Sequence, residues 1–474
     1  MKTKIPSTHS TASVTTPDRS PVSAAARSHG PLGRIIVTSL TAGAVAAGAL
    51  TFGLFGGATE SAITGSALVA FGASWAMLAV LSTRLTSQPQ RWAFVPAAVM
   101  TAMGLVLLVS APSEAGLAVM GWLWPPVMLV LAGWMFVHLR RAVADRRRWL
   151  LYPVVAVLGL AALGAAVEDV AQVRDQHAYP MSGASYNVGG HRLHLDCHGR
   201  AASSGQAGPG GPGGPTVILE NGLGEMSASW ARIIPAVART TRVCAYDRAG
   251  QGWSEEAAHP LDGRETARDL HTLLARAQEH GPFILVGHST GGTYALTYAA
   301  QYPAQVAGLV LLDSSSPDQF TVIPSFAGSY AVSSRAVALL PSLSRLGLAR
   351  LSPAASALPA PAAAQVRAFS TSANGLRNVR DEQSRLRDVF AQAQALVTLD
   401  GKPLAVVTAN ESLSTIGWAA AQDRLAALSI NSSHRIADAT HGGLLDDPHG
   451  AAVSVGAITD VVRSASTRAS LTRP

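Results

Sequence analysis

The chain has 474 residues, of which 48% are apolar and only 14% charged, with a formal net charge of +7. So little charge would be odd for a purely soluble protein, whose water-facing surface needs more. The basic excess is local: residues 1–148 hold 12 Lys and Arg against 4 Asp and Glu, and the remainder holds 24 against 25. No nucleic-acid footprint is therefore expected on the larger part.

Residues 1–33 are rich in Ser, Thr and Pro without apolar periodicity and read as a disordered tail. Five runs without Asp, Glu, Lys or Arg follow, at 35–59, 61–83, 92–113, 115–137 and 149–167. A helix needs about 20 such residues to cross a bilayer core. Buried core helices normally carry a polar stripe, so five membrane spans over 34–168 are the better reading. Lys2, Lys4, Arg19, Arg27 and Arg34 precede the first run. Arg84 and Arg91 separate the second and third, and Arg140, Arg141 and Arg146–Arg148 the fourth and fifth. The alternate connections hold only Glu60 and Glu114, and Glu168 and Asp169 follow the fifth run. Cytoplasmic loops collect Lys and Arg. A multi-pass protein of the cell membrane is expected, with its amino terminus cytoplasmic and everything after 167 outside. A cleaved signal peptide is not expected, because the first apolar run starts late and is too long for one.

Tyr186–Asp196 alternates around Gly189-Gly190 and reads as a hairpin. Residues 201–215 are a Gly/Pro linker. Strands are expected at Thr216–Glu220, Thr241–Tyr246, Phe283–Val286 and Val306–Leu312, with helices at 264–280 and 291–302. This alternation means a mostly parallel sheet covered on both faces. From Ser314 to Lys402 regularity lapses into Ala-, Ser- and Pro-rich sequence with helical patches, clearest at 376–397. Such an insertion is most simply a cap over a site. Pro403–Thr408 resumes the strands, followed by a helix at 417–428, a strand at His434–Ala437 and a helix at 450–463.

Phe283-Ile-Leu-Val-Gly-His-Ser289-Thr-Gly-Gly292 is an apolar strand running into G-x-S-x-G. A strained strand–turn–helix of this kind presents a serine above a sheet edge, and side chains at 287 and 291 would collide with neighbouring backbone. A serine hydroxyl is a weak nucleophile and needs a base and an oxyanion site. With Tyr246-Asp-Arg-Ala-Gly-Gln-Gly-Trp-Ser254 and Ala439-Thr-His441-Gly-Gly-Leu-Leu-Asp-Asp-Pro448, the chain resembles the α/β-hydrolase superfamily over about 184–463.

That resemblance implies Ser289 as nucleophile, His441 as base, and backbone N–H groups of Leu223 and Thr290 as the oxyanion hole. Asn221-Gly222 stands where relatives often have His-Gly, and Thr440 where glycine is usual. For the acid, Asp313 at the end of the sixth strand is favoured over Glu411 beyond the seventh. The plain alternatives are a turn cap for Asp313 and a surface charge for Glu411. His288, pointing away from the base side, and His434 and His449 are weaker candidates for the base. Asp247 and Arg248 are expected to order the loop carrying Trp253, and Glu220 and Trp230 to shape the mouth of the site.

The resemblance also implies that the second and fourth strands are antiparallel neighbours. Cys197 and Cys244, the only two cysteines, are then either a disulfide or two buried thiols one step out of register. The expected activity is hydrolysis of a carboxylic ester or related acyl bond in a small, apolar substrate, with no metal or organic cofactor. An acyltransferase on the same fold remains open. So does a membrane sensor or transporter with a degenerate domain, although spans without ionisable side chains argue against transport.

Overall fold

A computed structural model of the chain describes residues 32–142, 149–200, 214–352 and 356–471. Most of the expected tail and linker, and the basic residues 146–148, lie outside the described residues.

The apolar runs form α1 (Leu32–Gly48, prolonged by a π-helical turn over Ala49–Leu54), α2 (Glu60–Leu85), α3 (Phe94–Ser110), α4 (Glu114–Ala142) and α5 (Tyr152–Ala178). All five are long and apolar enough to cross a membrane. Lipid offers no hydrophobic drive for helices to associate, so close backbone approach has to supply packing. A side chain at Gly104 would lie 2.6 Å from the Gly65 carbonyl, and one at Gly72 2.2 Å from the Thr101 hydroxyl. The fifth helix runs eleven residues past the expected end of its span, because Glu168, Asp169, Arg174 and Asp175 continue it rather than opening a loop.

A hairpin of β1 (Ala184–Asn187) and β2 (Arg192–His198) leads to β3 (Val217–Glu220), the short α6 (Ile234–Val237) and β4 (Val243–Tyr246). Next come α7 (Gly263–Arg276), β5 (Phe283–His288), α8 (Gly291–Gln301) and β6 (Val306–Leu312). The helical insertion consists of α9 (Gln319–Val322), α10 (Phe326–Val337), α11 (Leu340–Arg345), α12 (Ala360–Ser370) and α13 (Ala373–Ala393). β7 (Leu404–Ala409), α14 (Trp418–Ala426), β8 (Ser432–Ala437), α15 (Gly443–Asp446) and α16 (Pro448–Thr467) follow.

The sheet has eight strands in the order β1-β2-β4-β3-β5-β6-β7-β8, with β2 antiparallel to both its neighbours, β1 and β4, and every other pairing parallel. Its central strands are apolar on both sides. Ile218, Leu285, Leu309 and Leu311 face α7 and α8, whereas Val217, Leu219, Val310 and Leu312 face α16. Helices on both faces bury every central side chain, as parallel sheets require.

The insertion lies between sheet and bundle. Arg345 and Arg377 both pair with Glu60 at the start of α2. Arg350 pairs with Glu168, and with Asp175 at 2.7 Å. Ser342 and Thr64 share a hydroxyl–hydroxyl bond of 2.7 Å.

Cys197 lies directly opposite Cys244 in the antiparallel β2/β4 pair, and the two are joined as a disulfide. Closing a loop with a sequence separation of 47 contributes on the order of 2–4 kcal/mol. Denatured, unreduced protein should show no free thiol, and a Cys197→Ala/Cys244→Ala variant should unfold at measurably lower temperature than the oxidised protein. Two free thiols would exclude the bridge.

Candidate active site

Ser289 follows β5 in a left-handed backbone conformation, φ 54°, which bulky L-residues rarely adopt. The turn is held from below by the Ser289 N–H donating to Leu312 O at 3.1 Å and by the Ser314 hydroxyl donating to Gly287 O at 2.8 Å. A side chain at Gly287 would lie 2.5 Å from Gly292, and one at Gly291 2.3 Å from the Glu220 carbonyl. Glycine is the residue that fits at both. Ser289 also packs on the loop after β3, where a side chain at Gly222 would meet its Cβ at 3.0 Å. The elbow therefore stands beside the Leu223 and Thr290 backbone.

That loop carries Asn221 where relatives carry histidine, and its amide is fully bonded. Nδ2 donates to Tyr246 O at 2.9 Å and to Gln251 Oε1 at 3.1 Å, and Oδ1 accepts from Trp230 Nε1 at 2.8 Å. Trp230 and Glu220 are buried and support the loop from beneath. They do not shape a mouth, as had been expected of them. Asp247 accepts from the backbone N–H groups of Ser227 at 2.6 Å and Trp253 at 3.2 Å, the ordering role expected of it. Arg248 donates to Asn221 O at 2.6 Å and to Glu382 at 2.9 Å, so it ties the loop to α13.

Asp313 ends β6 with φ 42° and is wholly buried. Its Oδ2 lies 2.6 Å from His441 Nδ1 and accepts from the Ser412 hydroxyl at 2.5 Å; its Oδ1 accepts from Trp418 Nε1 at 2.8 Å and Ala409 N at 3.3 Å. Glu411, the other acid considered, accepts instead from the His441 backbone N–H at 3.0 Å. The two carboxylates thus hold the ring and the main chain of the same histidine.

His288 does not point away from that histidine. Its Nε2 lies 2.9 Å from His441 O, and its Nδ1 2.6 Å from Glu225 Oε1. Both partners are acceptors, which suits a doubly protonated ring. Burial opposes the charge, but the Glu225 carboxylate raises the His288 pKa. Glu225 in turn is held below its usual range by His288 against its own burial. Glu225, Ser412 and Trp418 are not among the sequence's candidates for the site, and His288, a weaker candidate for the base, instead contacts the His441 carbonyl. The one available signal was the histidine inside the elbow itself. His434 bonds Thr408 and Asp423, and His449 is exposed. Among the described residues, the one trio of metal-type donors close enough to share an ion is Cys197, Cys244 and Glu279, and its sulfurs are joined to each other.

Burial would raise the Asp313 pKa, but the bonds from His441, Ser412 and Trp418 outweigh it and hold the carboxyl below its ordinary 3.8. A carboxyl depressed on folding contributes stability that is complete above its unfolded value and lost as pH falls through the folded one. Between about pH 5 and about pH 3 the native protein should therefore lose more thermal stability than Asp313→Asn. Equal losses in detergent-phase melts would show that the carboxylate is not held this way.

The family model described as "alpha/beta hydrolase fold" matches residues 215–334. An uncharacterized protein of Schizosaccharomyces pombe is 30% identical over 149 residues, which are 26% of this chain and 26% of that one. An uncharacterized vacuolar membrane protein of Saccharomyces cerevisiae is 27% identical over 130 residues, 26% of this chain and 20% of its own. The matches thus span about a quarter or less of those relatives' length. The Cif epoxide hydrolase of Acinetobacter nosocomialis superposes with a TM-score of 0.50 at 16% identity, over 62% of this chain and 95% of that one. With its sheet order, its insertion between β6 and β7 and the matched segment around the elbow, the chain has the α/β-hydrolase fold, preceded by five helices long and apolar enough to cross a membrane.

Proposed function

We propose that the protein is a membrane-anchored serine hydrolase that cleaves a carboxylic ester or related acyl bond. The observation that carries this reading is the 2.6 Å contact between Asp313 and His441, with His441 also bonded to the residue that precedes Ser289. Asp313 accepts from Nδ1–H and so leaves Nε2 unprotonated as the base. Nε2 takes the Ser289 proton as the hydroxyl oxygen attacks the acyl carbonyl. The Leu223 and Thr290 N–H groups receive the oxyanion. The imidazolium then returns the proton to the leaving alcohol, and water repeats the sequence on the acyl-enzyme. Epoxide opening in relatives uses a carboxylate at the elbow, and a serine there favours acyl chemistry. The insertion acts as a cap: Val379 on α13 packs against Gly224 of the oxyanion loop.

Ser289→Ala and His441→Ala should each lower ester turnover by about 10³-fold or more while leaving the melting temperature nearly unchanged. Asp313→Asn should be far more damaging than Glu411→Gln. Full turnover in purified Ser289→Ala would sink the assignment. Product analysis with competing alcohols separates hydrolysis from acyl transfer.

We also propose that the amino terminus is cytoplasmic and the hydrolase domain outside. Arg84, Arg91, Arg140 and Arg141 at the ends of the spans and a disulfide, which persists in oxidising compartments, support this. Protease added to intact spheroplasts should remove the hydrolase domain and spare a tag at the amino terminus. The reverse pattern would invert the topology.

A further inference from the structure

A segment facing water turns its charges outward and its leucines in, but the part of the insertion from Leu340 to Leu351 does the opposite. Arg345 reaches Glu60, and Arg350 reaches Glu168 and Asp175, so both guanidinium groups are directed at carboxylates of the membrane helices. Leu343, Leu348 and Leu351 are exposed. Leu348 is 47% exposed and Leu351 76%, and on the neighbouring α10 Val332 is 71% exposed.

The segment also lies at the depth of the apolar layer. A side chain at Gly164 of α5 would be 2.4 Å from Leu346 O, and one at Gly347 2.9 Å from Gly164 O. The turn at 346–347 is therefore seated directly on Gly164. A hydrocarbon core of about 30 Å takes up about 20 residues of helix at 1.5 Å each. Counted from Tyr152, an aromatic at the start of α5, such a layer reaches past Gly164 and Glu168. Val167, Val170 and Val173 continue the exposed apolar face of α5 on either side of Glu168. The exposed leucines thus lie beside an exposed apolar face of a helix long and apolar enough to span a bilayer.

We propose that the Leu340–Leu351 segment is immersed in the bilayer leaflet next to the hydrolase domain, with Leu348 and Leu351 in contact with acyl chains. Inward pairing of Arg345 and Arg350 removes the charge that would otherwise hold the segment in water. Immersion brings the insertion, whose α13 packs on the oxyanion loop, to the lipid surface. The inference concerns placement and stands whether or not Ser289 acts on esters.

The test uses the full chain with its disulfide intact, reconstituted in phosphatidylcholine vesicles, and a polarity-sensitive fluorophore on Leu348→Cys or Leu351→Cys. Both positions are exposed, so labelling leaves packing undisturbed. Ile430→Cys, 85% exposed beside β8, is the water-facing comparison. Probes at 348 and 351 should be blue-shifted and quenched about two-fold or more by doxyl-labelled phosphatidylcholine, and iodide should barely reach them. The probe at 430 should show the reverse. Equal iodide quenching at all three positions would overturn the proposal. Shielding of 348 and 351 from both quenchers would also overturn it, because protein rather than lipid would then cover them.

Discussion

The Arg248 guanidinium is the interaction on which the site's architecture depends. It is buried, stacks on Tyr294 at 4.2 Å, pairs with Glu382, lies 3.7 Å from Glu220 and donates to the carbonyls of Asn221 and Gly222. One side chain thereby joins the loop after β4, the loop after β3, α8 and the insertion. A buried charge is tolerable only when fully partnered, and removing one member of such a group costs about 3–5 kcal/mol. Glu220 shows the same tension. Burial pushes its carboxyl up to about 7, with Arg248 and the Tyr246 hydroxyl pulling it down.

The helix α13 extends this network toward the membrane. Within six residues it presents Arg377 to Glu60 of α2, Asn378 to the Ala249 carbonyl and Glu382 to Arg248. Its N-cap is Ser372, which accepts from Gly375 N, and Val389 and Phe390 pack with Tyr294 on its apolar side. A capped helix held at these points is a stiff element. The five-helix bundle and the loop after β3 are therefore fixed relative to each other through short polar contacts as well as through the chain at residues 179–183.

What could be read from the sequence was whatever depends on local pattern. Periodicity located the strands, the glycines around Ser289 located the elbow, and uncharged length located the five spans. The resemblance set Cys197 and Cys244 on neighbouring strands but left a bridge or two offset thiols open, and the β2/β4 register decides for the bridge. What could not be read depends on partners distant in sequence. Glu60 and Arg345 are separated by 285 residues and Glu168 and Arg350 by 182, so these carboxylates look like ordinary loop charges until the insertion is placed over them. The extension of α5 was hidden for the same reason. A run containing Glu168 and Asp169 signals an exit from the bilayer unless a counter-ion waits there.

The histidine loop shows why position in the sheet decides which carboxylate meets the His441 ring. Both Asp313 and Glu411 sit at the carboxyl edge, and both touch His441. Asp313 ends β6, the strand beside β5, with a left-handed turn that aims its short side chain along the sheet edge. Three side-chain donors and one backbone donor stabilise its charge where water cannot. Glu411 lies one strand further out, in a short turn after β7, and its side chain meets the loop's backbone instead of the ring. With His288 holding the His441 carbonyl from the elbow side, His441 is gripped at its ring, its N–H and its C=O by three separate elements. In the proposed mechanism its imidazole accepts and returns a proton, and a hold of this kind would keep its main chain still while its charge changes.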